Sequence, residues 1–275
     1  MQRFAPICSG FAAFLLFFAQ SSFAAGQPYS DKGLAAMDKN QPKLAVNWFQ
    51  QGVKAGETES MFYLGRMNEG GVGVQPNMAR AVALYQRAAK KKHARAINQL
   101  GILHLGAPGV LQDFAKARKY LGRASELGNA EAQFNYASIL LEGKAAKMNP
   151  NQANVWLERA AKQDYVPAQL RLAHNYRMGI GAKKNKTNAF KWYKRAAAYG
   201  NPYALFDTGT RYATGEGAKK DPVAAHTYLN LALSRGYQRA LPGLQKLTGS
   251  LKRGQLNEAQ NRAKAWRVKK NKARK

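Results

Sequence analysis

The chain has 275 residues, which is enough for one large domain or two small ones. It carries 44 Lys and Arg against 15 Asp and Glu, a formal net charge of +29, and 45% of its residues are hydrophobic. That hydrophobic content excludes wholesale disorder, and the single cysteine excludes both a disulfide scaffold and a cysteine-based zinc cluster.

Residues 1–24 have the pattern of a secretory signal peptide. Arg3 supplies a positive charge, residues 11–19 form an apolar run, and Ser22 and Ala24 are the small residues of a cleavage site. The run is shorter than the ~20 apolar residues that span a bilayer, which favours cleavage over an uncleaved membrane anchor. We therefore expect a mature protein that lies in the periplasm or is secreted.

The rest of the sequence repeats with a period of 36 residues. Leu64-Gly65, Ala88-Ala89, Ala45 and Trp48 each begin a set of similar residues that recurs at this spacing. Within one period the apolar residues follow a helical spacing that glycines interrupt, so each period predicts a helix A, a glycine-containing loop and a helix B.

The start of each helix B has its own signature. Asn and Asp accept hydrogen bonds from the unpaired backbone N–H groups of a first helical turn, which makes them good N-caps. One such residue recurs with the 36-residue period, at Asn77, Asp113, Asn149, Asn185 and Asp221. The sequence therefore predicts that helix B begins just after each of these positions.

The pattern resembles the Sel-one-like repeat family, a branch of the tetratricopeptide superfamily. The residues that carry the resemblance are Leu64-Gly65 and Gly70 in one period, and Ala189, Trp192, Ala196-Ala197 and Gly200 in another. The resemblance implies an all-α fold, a right-handed superhelical solenoid of antiparallel helix pairs. It also implies adaptor roles such as envelope assembly, exopolysaccharide export or signalling regulation.

The period also predicts how the chain is organised. We expect capping helices over residues 25–58, five helix-pair repeats over 59–238, further capping helices over 239–261 and a basic tail over 262–275. Terminal elements of a repeat array are expected to be atypical because their outer face meets water.

The sequence offers little that could perform catalysis. The acidic residues are scattered, and the four histidines occupy four different repeat positions without metal-ligand spacing: His93, His104, His174 and His226. No Ser-x-x-Lys occurs, so serine β-lactamase chemistry has no support. We expect a protein that is not an enzyme and that needs no cofactor or metal.

One candidate surface is the concave groove that helix A lines in tetratricopeptide-like folds. Side chains beside the Leu-Gly positions should face this groove, and they vary in type from repeat to repeat. A tailored binding surface and unconstrained solvent positions both show such variation. The groove candidates are Tyr63, Arg66, Gln99, Asn135, Arg171, His174 and Asp207.

The second candidate surface is basic, because residues 141–275 hold 28 Lys and Arg against 7 Asp and Glu. One loop position carries lysines that stacking would align as a basic ridge: Lys147, Lys183, Lys184, Lys219 and Lys220. The tail adds Lys269, Lys270, Lys272, Arg274 and Lys275. Charges of one sign can also be solvated faces that only aid solubility.

Another arginine set, Arg87, Arg123, Arg159 and Arg195, lies beside the Ala pairs on helix B, where a bond to a neighbouring repeat is the expected role.

These observations favour an exported scaffold that binds a protein or peptide partner from the envelope or periplasm in its groove. The alternative is direct binding of an anionic polysaccharide or lipid surface through the basic ridge and tail. Nucleic acid is not an expected partner, because export would separate the protein from it.

Overall fold

The computed structural model describes residues 28–143 and 146–269. In these ranges the chain forms fourteen α-helices, one short 3-10 helix and no β-strand, which confirms the predicted all-α fold. The predicted signal peptide lies outside the described residues. None of the helices in the described ranges is long and apolar enough to cross a membrane.

The chain divides into two compact units, Met1–Tyr120 and Leu121–Lys275, here called unit 1 and unit 2. Unit 1 holds α1 (Tyr29–Asp38), α2 (Pro42–Lys54), α3 (Thr58–Gly70), α4 (Met78–Lys90), α5 (Ala94–Leu103) and the first part of α6 (Phe114–Glu126). Unit 2 holds the rest of α6, then α7 (Ala130–Glu142), α8 (Pro150–Lys162), α9 (Val166–Met178), α10 (Lys186–Ala197), α11 (Pro202–Thr214), α12 (Pro222–Leu233), the 3-10 helix Gln238–Ala240, α13 (Leu241–Ser250) and α14 (Arg253–Ala265).

Helices pack against their neighbours in chain order. In unit 1 each of α1 to α4 contacts the helix that follows it. In unit 2 the same holds from α7 to α12, and α13 and α14 both pack on α12. Each unit is therefore a stack of helix pairs, as a 36-residue repeat requires.

Small residues set the distance between stacked helices. The alanines that recur early in helix B have no exposed surface: Ala45, Ala81, Ala117, Ala153, Ala189 and Ala225. Gly65 on α3 brings the helix backbone close to Tyr85, since a Cβ atom at Gly65 would lie 2.5 Å from the ring. A larger side chain at either kind of position would force the stack apart.

The predicted N-caps of helix B are confirmed. Asn77, Asp113, Asn149, Asn185 and Asp221 each accept a hydrogen bond from the backbone N–H three residues later. Helix A has caps of its own that the period did not predict, because His93, Asn129 and Asn201 do the same for α5, α7 and α11.

The C-terminal segment packs back onto unit 2. Trp266 lies against the hydrophobic cluster that contains Leu205 and Leu231, and the Arg235 guanidinium lies 4.6 Å from its ring centroid. The backbone N–H of Lys269 donates to the carbonyl oxygen of Ala198 over 2.9 Å. The predicted basic tail therefore begins as part of the fold, and its residues 270–275 lie outside the described ranges.

Candidate functional site

The loops of unit 2 rest on the helix starts of the preceding repeat. A Cβ atom at Gly181 would lie 2.2 Å from the carbonyl oxygen of Pro150, and one at Gly217 would lie 2.2 Å from that of Lys186. Both glycines adopt positive φ. These contacts bring successive loops next to one another, which is the arrangement that the basic ridge requires.

The lysines of the predicted ridge are all exposed, and none forms an ion pair with another described residue: Lys147, Lys183, Lys184, Lys219 and Lys220. An acidic side chain does lie beside them, because Glu216 Oε1 is 3.5 Å from Lys186 Nζ. The five lysines are thus exposed loop residues of unit 2.

The groove candidates of unit 1 divide into two environments. Tyr63 stacks on Phe49 at a centroid distance of 5.4 Å and accepts a hydrogen bond from Arg95 Nη1 over 3.1 Å. Gln99 is buried, and its Nε2 donates to both carboxylate oxygens of Glu69 over 2.9 and 3.0 Å. Gln99 therefore does not offer its side chain to solvent.

Glu69 is the centre of a closed polar cluster. Tyr85, which has no exposed surface, donates its hydroxyl to Glu69 Oε2 over 2.6 Å, and Arg66 Nη1 lies 3.6 Å from the same oxygen. Burial and the neighbouring Glu69 carboxylate raise the pKa of Tyr85, so the phenol remains a donor. We call Arg66, Glu69, Tyr85 and Gln99 the Glu69 cluster.

The groove candidates of unit 2 lie on three successive A helices. Asn135 is half-buried on α7, Arg171 and His174 lie on α9, and Asp207 lies on α11. The Nδ1 atom of His174 accepts from Arg177 Nη2 over 3.3 Å. Burial, and then the charges of Arg177 and Arg171, lower the pKa of His174, which keeps the ring neutral at neutral pH.

Asp207 lies in a buried ion pair that the sequence analysis missed. Its carboxylate accepts from Nε of Arg211, which is only 3% exposed. Burial raises the pKa of Asp207, and the nearby Arg211 and Arg177 oppose that rise. The Arg211 guanidinium also lies 5.3 Å from the ring centroid of Tyr193.

Tyr193 on α10 lies close to charged residues of both α9 and α11. It has no exposed surface, and its ring lies edge-on to that of Tyr203 at a centroid distance of 5.8 Å. Burial and the hydrogen bond to the Tyr203 hydroxyl raise the pKa of Tyr193, Asp207 adds to the rise, and Arg177 opposes it. We call Arg171, His174, Arg177, Tyr193 and Asp207 the Arg177 cluster.

The chemistry that these residues can supply is anion binding. The Arg177 cluster holds two guanidinium groups, of which that of Arg177 is exposed and that of Arg171 is half-buried. Over the described ranges, no three His, Cys, Asp or Glu side chains lie close enough together to hold a metal ion.

The arginine set on helix B has mixed roles. Arg195 donates to Asp164 Oδ1 and to the carbonyl oxygen of Lys162, so it bonds the neighbouring repeat as predicted. Arg159 instead lies 4.4 Å from the ring centroid of Trp156 in its own helix. Arg87 is exposed and, together with residues of α2, lines an open cavity of about 340 Å³.

Solved structures with a similar fold come from several bacteria. A Sel1 repeat protein from Oxalobacter formigenes is 22% identical with a TM-score of 0.68, and the match covers 85% of this chain and 97% of that one. The immunity protein Pa5087 from Pseudomonas aeruginosa is 19% identical with a TM-score of 0.50, covering 75% of this chain and 80% of that one. At these identities the likeness concerns the fold. No curated protein matches the sequence.

The Sel1 repeat family model matches six consecutive segments, residues 25–57, 58–93, 94–129, 130–165, 166–201 and 202–237. The first segment lies where the sequence analysis expects the N-terminal capping helices. Proteins built from this repeat are generally protein-interaction modules and typically non-enzymatic scaffolds. With most of its length matched by the model, the chain belongs to the Sel1 repeat family.

Proposed function

We propose that the protein is an exported scaffold that binds a partner protein of the bacterial envelope on the A helices of unit 2. The observation that carries this proposal is the Arg177 cluster, in which charged and polar side chains of the A helices α9 and α11 lie together and Arg177 is exposed.

The distribution of residue types supports the same surface. Helix B repeats small, fully buried alanines such as Ala153 and Ala189, so its recurring positions serve packing. Helix A of unit 2 carries a different polar residue in each repeat, with Asn135, Arg171 and Asp207 at equivalent positions. Repeat folds use such variation to fit one partner on an extended surface.

Site-directed photocrosslinking in intact cells tests this proposal. A photoreactive amino acid at the exposed Thr210 on α11 should yield one discrete adduct with an envelope protein. The same amino acid at the exposed Lys191 on α10, a B helix, should not yield that adduct. An identical adduct pattern from both positions, or none from Thr210, would contradict binding on the A helices.

Export requires its own measurement. We expect the mature chain to begin after Ala24 and to fractionate with the periplasm or the culture medium. Intact mass and N-terminal sequencing of the fractionated protein check both points. Full-length protein that stays in the cytoplasm would contradict export.

A second candidate function is binding of an anionic envelope polymer or membrane surface through the basic ridge. The exposed loop lysines without ion pairs favour it, since attraction to an anionic surface is worth ~1 kcal/mol per basic residue. Replacing Lys183, Lys184, Lys219 and Lys220 with Gln should then weaken vesicle binding and reduce its dependence on salt. Four matched Lys→Gln changes on exposed positions of unit 1 provide the control.

The role of the tail needs a truncation that spares the fold. A cut at Arg262 would remove Trp266, which packs on unit 2. Removing only residues 270–275 keeps this contact and the hydrogen bond of Lys269 to Ala198. Unchanged vesicle binding by this shorter truncation would exclude the tail from the basic surface.

A further inference from the structure

The open cavity of about 340 Å³ in unit 1 is lined by two successive B helices, α2 and α4, and by a residue of α3. Its walls combine apolar side chains with cations, and among the residues that the structure describes no acidic side chain lines it. The residues that carry the argument are Val53, Lys54, Leu64, Arg80, Leu84 and Arg87.

Two periods of 36 residues later, in unit 2, the two leucines of this cavity are replaced by aromatic residues. Leu64 corresponds to Tyr136 and Leu84 to Trp156. The rings of Tyr136 and Trp156 pack edge to face at a centroid distance of 5.7 Å. The Leu84 position is aromatic in every other repeat: Trp48, Tyr120, Trp156, Trp192 and Tyr228.

The ring of Tyr136 fills space between two B helices of unit 2. A Cβ atom at Gly122 on α6 would lie 3.5 Å from this ring, and Trp156 on α8 also packs against it. Gly122 corresponds to Gln50, which lines the cavity of unit 1. The cavity is therefore the space that aromatic side chains fill at the equivalent place in unit 2.

The arginine beside this space has no partner of its own in unit 1. Arg159, the counterpart of Arg87, lies 4.4 Å from the centroid of a tryptophan ring in its own helix, and Arg195 in the next repeat pairs with Asp164. The residue that corresponds to Asp164 in the repeat of Arg87 is Gly56. Arg87 is exposed and forms no ion pair within the described part of the chain.

The charge around the cavity is positive. Lys54, Arg80 and Arg87 are all exposed. In the equivalent part of unit 2, Glu126 stands at the position of Lys54 and Gln152 at that of Arg80. The cavity of unit 1 thus combines missing rings with added positive charge, and an aromatic group that carries negative charge nearby complements both features.

We propose that this cavity binds an aromatic side chain of a partner protein, at a place in the partner where acidic residues flank it. The ring lies against Val53 and the exposed Ala83, and the Arg87 guanidinium covers its face as Arg159 covers a ring in unit 2. The flanking carboxylates pair with Lys54 and Arg80. The site lies in unit 1, so it is independent of the proposed binding on the A helices of unit 2.

The shape of the cavity favours a side chain over a free small molecule. Small-molecule sites have volumes of roughly 300–1,000 Å³ and enclose most of their ligand. This cavity has a volume at the low end of that range and is open to solvent, with Ala83 exposed on its wall. An occupant can therefore enter ring first and remain attached to a polypeptide outside.

Isothermal titration calorimetry with the mature chain tests the site. The probe is the blocked peptide Glu-Glu-Trp-Glu-Glu, and its control has Ala in place of Trp. The Trp peptide should bind about tenfold more tightly, because the ring buries apolar surface that the methyl group does not. This ratio should persist at raised salt, which screens the general attraction to a chain of net charge +29. Equal affinities, or no binding of the Trp peptide, would overturn the proposal.

A matched pair of variants tests the role of the arginine. Arg87→Gln should weaken binding of the Trp peptide about tenfold, because the guanidinium contacts both the ring and a carboxylate. Arg159→Gln removes the same charge from the equivalent position of unit 2, where a ring of the chain already lies, and should change the affinity less than about twofold. Equal weakening by the two variants would show that the cavity is not the site.

Filling the cavity from within gives a further test. Leu84→Trp introduces the side chain that Trp156 supplies in unit 2, so we expect lost peptide binding and a melting temperature no lower than that of the parent chain. A folded variant that still binds the Trp peptide would contradict binding in the cavity. If this variant does not fold, the Arg87→Gln and Arg159→Gln pair still decides.

Two further outcomes fix the occupant and separate this inference from the proposed function. Free indole acetate that binds more tightly than the Trp peptide would overturn the assignment to a partner protein. The adduct at Thr210 reports on unit 2, so its absence contradicts the proposed function and leaves the cavity site standing. Failure of the peptide measurements overturns the cavity site alone.

Discussion

The Glu69 cluster and the Arg177 cluster share their repeat positions and differ in the charge beside the tyrosine. In unit 1 the chain supplies the carboxylate, and phenol, amide and carboxylate satisfy one another. In unit 2 an exposed arginine, Arg177, stands at the position of Glu69, and the phenol of Tyr193 pairs with the hydroxyl of Tyr203. One position of the repeat can thus hold either a carboxylate that closes a buried network or an arginine that faces solvent.

This difference shows the value of comparing equivalent positions in different repeats of one chain. Each repeat provides an internal reference for the packing that its neighbours need. A polar group that recurs with its partner, as Tyr85 does with Glu69, is explained by stability. A polar group whose partner differs between repeats, as Tyr193 pairs with Tyr203, shows that the same position can be satisfied in another way.

The largest expected effect comes from forcing Tyr85 out of its place. Gly65→Val would put a side chain within 2.5 Å of the Tyr85 ring and should destabilise the chain by about 3 kcal/mol. The equivalent residue in the repeat of Tyr193 is Ala173, where a change to Gly should cost only roughly 1 kcal/mol of helix propensity. Thermal melts of both variants measure the contrast, and equal losses would show that Gly65 does not position the tyrosine.

The second-largest effect should come from removing the charged residue of each cluster, because the two losses of stability should differ. Glu69→Ala leaves the buried donors of Tyr85 and Gln99 without their acceptor, which should cost about 2 kcal/mol. Arg177→Ala removes an exposed side chain and should change the free energy of unfolding by less than about 0.5 kcal/mol. Urea unfolding followed by circular dichroism gives both values. A large loss on Arg177→Ala would mean that the Arg177 cluster is also structural.

The two tyrosines should respond unequally to the loss of a hydroxyl. Tyr85→Phe breaks a hydrogen bond to a carboxylate and should destabilise by about 1.5 kcal/mol. Tyr193→Phe removes a hydroxyl that pairs with the neutral hydroxyl of Tyr203 and should destabilise by only about 0.5 kcal/mol. Melting temperatures of the matched pair decide the point, and an equal or larger loss for Tyr193→Phe would show that the carboxylate does not strengthen the bond of Tyr85.

The smallest expected effect is a pH dependence confined to unit 2. The pKa of His174 is lowered in the folded state, so the unfolded chain binds more protons once the pH falls below about 6.5. Stability should therefore decrease as the pH falls through 6.5 towards the folded-state pKa of His174. His174→Gln should flatten this slope in urea titrations between pH 8 and 5. His226, whose pKa burial also lowers, accounts for a remaining slope.

Periodicity was enough to predict the helices and the N-caps of helix B. The Asn and Asp residues that recur before helix B all act as N-caps, because capping depends on contacts only three residues apart. The same periodicity predicts neighbouring positions for the loop lysines, and that alignment stays a prediction. Local signals of this kind recur in each repeat, so a prediction made for one repeat also applies to the next.

Contacts between repeats were harder to predict. Gln99 was expected on an open groove, but it lies buried against Glu69, which is 30 residues away. The pair of Asp207 and Arg211 was missed although a signal was present. The Arg211 position holds Met67, Leu103 and Ile139 in three earlier repeats and Asn175 in the repeat just before, all of them buried. An arginine at a position that is buried in every earlier repeat predicts a buried ion pair, and its partner follows from helical spacing.

Gly181 and Gly217 have a consequence for how such a protein can grow. Each lets a loop rest on main-chain atoms at the start of helix B of the preceding repeat. A contact made by main-chain atoms does not depend on which side chains a repeat carries. Duplication of one such segment in a gene could therefore lengthen unit 2 without a new kind of joint, and each added copy would be free to acquire a ligand of its own.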